Sequence, residues 1–252
     1  MRIKVLGSSA AHERYQFAAS YVINDVVAID AGSLGFGSLA EQTRIRHVFI
    51  SHTHLDHIAS LPIFIDNVYA PDADCPMIYG SEQVTDSLQK CFFNDQIWPD
   101  IVRMSREGPP FAKFSGLEHR RPVWVDDLCI TPVALHHVVP CFGFLIEQGD
   151  TAVALISDTG PTEEIWAVAK QSSQLKGVFL ESAYPNSFDW LANKAAHLTP
   201  AKFLREYRKL GKDVAVVAIH IKCAFYDQVV SELKQLGISN LIISEPNHVY
   251  EF

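Results

Sequence analysis

Residues 51–57 read Ser51-His52-Thr53-His54-Leu55-Asp56-His57, so three histidines and one aspartate fall within six positions, directly after the strand-like stretch Arg46–Ile50. This cluster restricts the fold more than any other part of the chain. In an extended segment alternate side chains share a face, so His52 and His54 point the same way. Entry into a helix near Asp56 then swings Asp56 and His57 onto an adjacent position. Imidazole and carboxylate are the donors expected for zinc and similar divalent ions. Two such pairs, offset by a turn, suit two metals a few ångströms apart rather than one.

Further donors are expected at the ends of other strands, where sites in α/β proteins are commonly built. His136 and His137 follow the apolar stretch Leu128–Leu135, Asp158 follows Ala152–Ile156, and His220 follows Val214–Ile219. A lone histidine beside a core strand is more often structural than a ligand. Together with the cluster at 52–57, however, these residues complete a two-metal set. His12, His47, His119 and His248 show no partner pattern and read as structural or surface residues.

The chain has 252 residues, 48% apolar and 20% charged, enough to bury a sizeable core as one domain over 1–252, and no Pro/Gly-rich linker divides it. Its 21 basic and 29 acidic residues leave a net charge of −8, which argues against a general nucleic-acid coat. An anionic substrate stays compatible with that charge if bound cations set the local field. No apolar run of about 18 residues is present, so no membrane span is expected. The stretch after Met1 lacks the apolar core of a secretory signal. The five cysteines are scattered without a Cys-x-x-Cys pair, so the expectation is a cytoplasmic protein with reduced thiols.

Strands are expected at Arg2–Leu6, Ser20–Ile23, Val26–Ile29, Arg46–Ile50, Pro122–Val125, Leu128–Val133, Phe142–Ile146, Ala152–Ile156, Gly177–Leu180, Val214–Ile219 and Asn240–Ile243. Helices are expected at Ser81–Lys90, Glu163–Lys170, Pro200–Leu210 (capped by Thr199, with Pro200 first and Gly211 after it) and Tyr226–Leu236. Strands followed by strand–helix alternation in each half point to a layered α/β sandwich. Residues 91–121 fit this scheme least well, and a long segment of low periodicity is usually functional or mobile.

The motifs His52-Thr53-His54-Leu55-Asp56-His57, His137, Asp158 and His220, with the early Asp30-Ala31-Gly32, resemble the metallo-β-lactamase fold superfamily over nearly the whole chain. That resemblance implies a four-layer αββα sandwich with a dinuclear site at one edge. By it, His52, His54 and His137 hold one metal, Asp56, His57 and His220 hold the other, and Asp158 bridges them. It favours His137 over His136, because His137-Val138-Val139-Pro140-Cys141-Phe142-Gly143 resembles the ligand segment of phosphodiesterase branches. Zinc is the expected ion, with manganese or iron as alternatives according to supply.

Three segments resemble class II cyclic-nucleotide phosphodiesterases: His54-Leu55-Asp56-His57-Ile58-Ala59-Ser60-Leu61, Phe93-Asn94-Asp95-Gln96-Ile97-Trp98-Pro99, and Leu180-Glu181-Ser182-Ala183-Tyr184-Pro185-Asn186 followed by Ala196-His197-Leu198-Thr199-Pro200. Pro62 departs from the apolar residue expected after the first of them. The implied substrate is a small 3′,5′-cyclic nucleotide such as cAMP or cGMP, opened to the 5′-monophosphate by a metal-bridging hydroxide. Asp56 is the candidate proton acceptor and His197 the candidate donor to a phosphoryl or leaving oxygen. Glu181 is either the carboxylate that orients His197 or a cap or surface acid. Trp98 and Tyr184 are candidates to stack on a base, whereas Phe92 and Phe93 read as core.

A tRNA 3′-processing endonuclease of the ribonuclease Z type is the alternative. It is favoured by Ser60-Leu61-Pro62 and by the basic residues Arg103, Arg106, Lys113, Arg120 and Arg121; nucleic acid is a partner only on that reading. A thioester or lactone hydrolase and a degenerate binding module are further alternatives on the same fold. Oligomeric state is open, with a homodimer as the first expectation.

Overall fold

A strand that is apolar throughout must be covered on both faces, and Ala152–Ile156 and Val214–Ile219 contain no polar residue. In the computed structural model, which describes residues 1–8 and 18–252, both lie inside a sheet with a second sheet on one side and helices on the other. His12 lies outside the described residues.

In chain order the strands are β1 (Arg2–Gly7), β2 (Ser20–Ile23), β3 (Val27–Ile29), β4 (His47–Phe49), β5 (Met77–Gly80), β6 (Lys113–Gly116), β7 (Val123–Val125), β8 (Leu128–Leu135), β9 (Cys141–Gln148), β10 (Thr151–Ile156), β11 (Leu175–Glu181), β12 (Ala215–Ile219), β13 (Leu241–Ile243) and β14 (His248–Glu251). Among the described residues they form two seven-stranded sheets, β14-β1-β2-β3-β4-β5-β6 and β13-β12-β11-β10-β9-β8-β7. The chain builds the first sheet, crosses to the second between β6 and β7, and returns only for β14. Strands β3 to β6 are mutually parallel, as are β10 to β13.

The alternation of side chains divides the core into layers. Val153 and Leu155 of β10, Phe179 of β11, and Val217 and Ile219 of β12 face Ile3, Val5 and Phe49 of the first sheet. Their neighbours Ala152, Ala154, Ile156, Val178, Leu180, Val216 and Ala218 pack under helices Glu164–Gln171, Pro200–Leu210 and Tyr226–Lys234. Outside the first sheet, Val48, Ile50 and Ile78 pack under Ile58, Leu61, Phe64 and Val84 of helices Leu55–Ile58, Leu61–Val68 and Glu82–Ser87. The result is the expected four-layer αββα sandwich.

Several elements differ from expectation. Helix Leu61–Val68 is not among the expected helices; Pro62 sits in its first turn, where a missing N–H breaks no intrahelical bond. The helix after Ser81 stops at Ser87 and widens into a π-type turn over Leu88–Phe92. Residues 91–121 are more regular than expected: Asp100 caps helix Ile101–Glu107 by accepting from the Arg103 N–H at 2.8 Å, and β6 follows. Thr199 occupies the N-cap position of helix Pro200–Leu210, yet its side chain makes no capping bond.

Phe144 of β9 is fully buried between the sheets, edge-on to Phe49 with ring centroids 6.0 Å apart. Phe144→Ala should therefore cost about 3–5 kcal/mol of stability, read as a lowered midpoint of urea unfolding followed by circular dichroism.

Candidate metal centre

Strand β4 delivers the chain to Ser51 and His52 at the edge where the parallel strands of both sheets end. The backbone stays extended through His54, which occupies the N-cap of helix Leu55–Ile58, and that helix carries Asp56 and His57. The extended-then-helical path read from the sequence is therefore observed. The start of β9 joins the same edge, since the Phe142 N–H donates to the Ser51 carbonyl at 3.1 Å. His137 follows β8, Asp158 follows β10, and His220 follows β12.

These seven side chains converge. Their ligand atoms form two groups, His52/His54/His137/Asp158 and Asp56/His57/His220, each within 4.8 Å internally. Asp158 lies between the groups and turns one oxygen to each. Its Oδ2 is 3.6 Å from His52 Nε2 and 3.9 Å from His137 Nε2, while its Oδ1 is 2.8 Å from His220 Nε2 and 3.4 Å from His57 Nε2. His54 Nδ1 is 3.2 Å from His137 Nε2, and His220 Nε2 is 3.3 Å from His57 Nε2 and 3.5 Å from Asp56 Oδ2.

The donor set fits divalent metal ions. Nitrogens this close repel unless a proton or a cation lies between them. His52 Nε2 is buried and makes no hydrogen bond, an arrangement that costs about 1–3 kcal/mol unless a ligand satisfies it. Burial also keeps the nitrogens free to coordinate: it holds His52 well below the usual imidazole range, lowers His54, and depresses His137 to about 4 and His220 to about 3. His57 goes the other way, because the Asp158 and Asp30 carboxylates outweigh its burial. Burial likewise opposes ionisation of Asp158, but the His220 and His57 rings prevail and hold it well below the usual carboxylate range.

A surrounding layer orients these ligands. His57 Nδ1 donates to Asp30 Oδ2 at 2.7 Å, which leaves Nε2 for a metal. Asp30 is in turn fixed by the Ser51 N–H at 2.7 Å and the Ser51 hydroxyl at 2.8 Å. His137 Nδ1 donates to the Ala196 carbonyl at 3.1 Å. Glu181 is buried and accepts four bonds, from Thr159 N (2.8 Å), His197 Nδ1 (2.7 Å), Ala183 N (3.1 Å) and Leu198 N (3.1 Å). It is neither a surface acid nor a helix cap. His197 thereby aims Nε2 at Asp158 Oδ2, 3.9 Å away.

His136 is exposed, with Nδ1 3.3 Å from the Pro161 carbonyl, so the geometry brings in His137 instead. Tyr184 stands edge-on to His197 at 5.7 Å between centroids. Trp98 joins the hydrophobic cluster outside the first sheet rather than the rings around His197. Two residues of the site escaped the sequence reading. Asp30 was visible only as part of a structural motif, and Lys222, whose Nζ lies 3.3 Å from Asp56 Oδ2, carried no motif signal.

Residues 35–138 match the family model of class-II cAMP phosphodiesterases. A probable 3′,5′-cyclic-nucleotide phosphodiesterase of Yersinia pestis is 30% identical, over 95% of this chain and 76% of that relative. Unliganded yeast PDE1 superposes with a TM-score of 0.80 at 17% identity, covering 98% of both chains. A metallo-β-lactamase fold protein from Bacillus subtilis gives 0.75 at 17% identity, covering 100% of this chain and 99% of the other. The architecture is thus the metallo-β-lactamase fold.

Because Asp158 faces both groups, Asp158→Ala is expected to strip metal from both, whereas Asp56→Ala should empty only one; elemental analysis of the purified variants checks this. Gly32 packs against the Asp56 carbonyl and has Ala18 Cβ at 2.6 Å from where its own Cβ would stand. Gly32→Ala should therefore displace helix Leu55–Ile58 and lower metal content, although residue 32 offers no ligand.

Proposed function

Given that the chain belongs to the class II cAMP phosphodiesterase family of metal-dependent phosphodiester hydrolases, we propose that it opens 3′,5′-cyclic nucleotides such as cAMP and cGMP to 5′-monophosphates at a two-metal site. The observation that carries this reading is the division of Asp158, one oxygen toward each ligand group. His52, His54 and His137 would hold one ion, and Asp56, His57 and His220 the other, with Asp158 between. Bound there, a pair of divalent ions (zinc, or manganese or iron with the same donors) supplies positive charge for the phosphodiester and acidifies water.

The chain's own groups do the rest. Asp56 is partly exposed, with a side-chain accessibility of 34%, and so is placed to take the proton of the attacking water. His197 meets the substrate from the opposite group. Its Nδ1–H is fixed on Glu181, and although burial opposes it, the Glu181 charge favours a second proton on Nε2. His197 can then donate to the phosphoryl oxygen or to the departing O3′, which leaves phosphate on O5′. Tyr184, half-buried beside His197, offers an aromatic edge to the nucleoside.

The basic residues that would favour an RNA substrate are largely engaged by acids. Arg103 pairs with Asp95 at 3.0 Å, Arg121 with Glu118 at 2.8 Å and Arg120 with Glu164 at 3.6 Å. Their charge is thus partly neutralised at the surface. No helix among the described residues is long and apolar enough to cross a membrane.

The test is incubation of metal-loaded protein with cAMP and cGMP, with products separated by chromatography. Neither nucleotide turning over, beside cleavage of a precursor tRNA, would reject the reading. His197→Ala should lower kcat by about a hundredfold, the usual loss for one oxyanion donor, with metal content unchanged. A parallel loss of metal would move His197 into the ligand set.

A further inference from the structure

Lys222 occupies a position that neither the metal groups nor the His197–Glu181 pair accounts for. Strand β12 ends at Ile219, and Ile221 turns into the core beneath the outer helices. Lys222 follows, with its backbone fixed at both ends: its N–H donates to the Ala183 carbonyl at 3.1 Å, and its own carbonyl accepts from Phe225 N at 2.9 Å. From that base the side chain reaches across to the other sheet and sets Nζ 3.3 Å from Asp56 Oδ2. Among the described residues, no other lysine or arginine pairs with a carboxylate of the centre. The Lys222 side chain is 29% exposed and that of its partner Asp56 34%, so the pair stands at the open side of the centre, whereas Asp158 and His220 are buried.

We propose that Lys222 is a phosphate-binding residue of this site, its ammonium shared between Asp56 and a nonbridging oxygen of the bound phosphoryl group. The proposal rests on the phosphodiesterase reading for its substrate, but its chemistry needs only a phosphoryl anion beside the metals. Lysine suits the task as a compact point charge on a flexible stem, able to follow a phosphoryl group as its charge rises from one to two on hydrolysis. Asp56, tied to Lys222 through one oxygen, keeps the ammonium extended toward the centre when no anion is bound.

The experiment is calorimetric titration of metal-loaded protein with inorganic phosphate and with 5′-AMP, for the wild type, Lys222→Met, Lys222→Gln and Lys222→Arg, with metal content measured on the same samples. Both neutral variants should bind each anion about tenfold or more weakly, the usual worth of a hydrogen bond to a charged group. They should keep their full metal complement, and Lys222→Arg should recover most of the affinity. Anion binding within twofold of wild type in the neutral variants would overturn the proposal. So would a loss of affinity matched by a loss of metal, since Lys222 would then act only by holding Asp56. Lys222-dependent phosphate binding in a protein that turns over neither cAMP nor cGMP would reject the proposed substrate and retain the role of Lys222; turnover with unaltered anion binding would do the reverse.

Discussion

The Asp158 carboxylate, about 1% exposed and approached by His52, His57, His137 and His220, is the constraint to which the rest of the site answers. Removing a charge from water costs several kcal/mol even after relaxation. Part of the compensation comes from the His57 ring, and divalent cations held by the same donors would add the rest. Burial keeps His52, His54, His137 and His220 unprotonated and so able to hold such ions, and two further buried acids act as fixed supports. Asp30 and Glu181 are both buried, and each receives backbone N–H bonds as well as an imidazole Nδ1–H. Binding energy spent on such ions is also folding energy, since the full constellation exists only in the folded chain.

The two-sheet architecture gives that dependence a particular form. The first sheet side contributes His52, His54, Asp56 and His57, and the second contributes His137, Asp158 and His220. Neither half carries a complete ligand group. An ion in either position therefore ties the halves together at the edge where the intersheet core ends, and Lys222 reaching to Asp56 spans the same gap. Three of the nine non-glycine residues with positive φ among the described residues lie there: Asp30 at φ 60°, Ala196 at φ 51° and His220 at φ 57°. Such positions persist only where surrounding contacts over-determine them, and each of these three either holds a ligand or is one.

How much of this could be read from the chain varies with the range of the interaction. The 52–57 cluster was legible because both its alternation and its helical turn are local geometry, and the strand ends bearing Asp158 and His220 were legible as polar residues after apolar runs. His137 was separable from His136 only through the resemblance of the segment 137–143, since both follow the same strand; in the structure the Ala196 carbonyl, 59 residues away, orients the His137 ring. Glu181 was ambiguous because three of its four donors, Thr159 N, His197 Nδ1 and Leu198 N, lie 16 or more residues away. Trp98 belongs to a motif, yet its ring packs with the first sheet's outer cluster. Helix Leu61–Val68 went unread although Pro62 sits in its first turn, a position open to proline.

By itself, then, the sequence determined the chemical kind of the site and the layered scaffold, because residue type, spacing and hydrophobic period act over a few positions. Only the tertiary structure decided which oxygen of Asp158 faces which group, that Glu181 is buried against His197, and that Lys222 meets Asp56 from 166 residues away. Those outcomes follow from how two sheets pack face to face, and that packing is settled by the sum of many distant contacts rather than by any short run of residues.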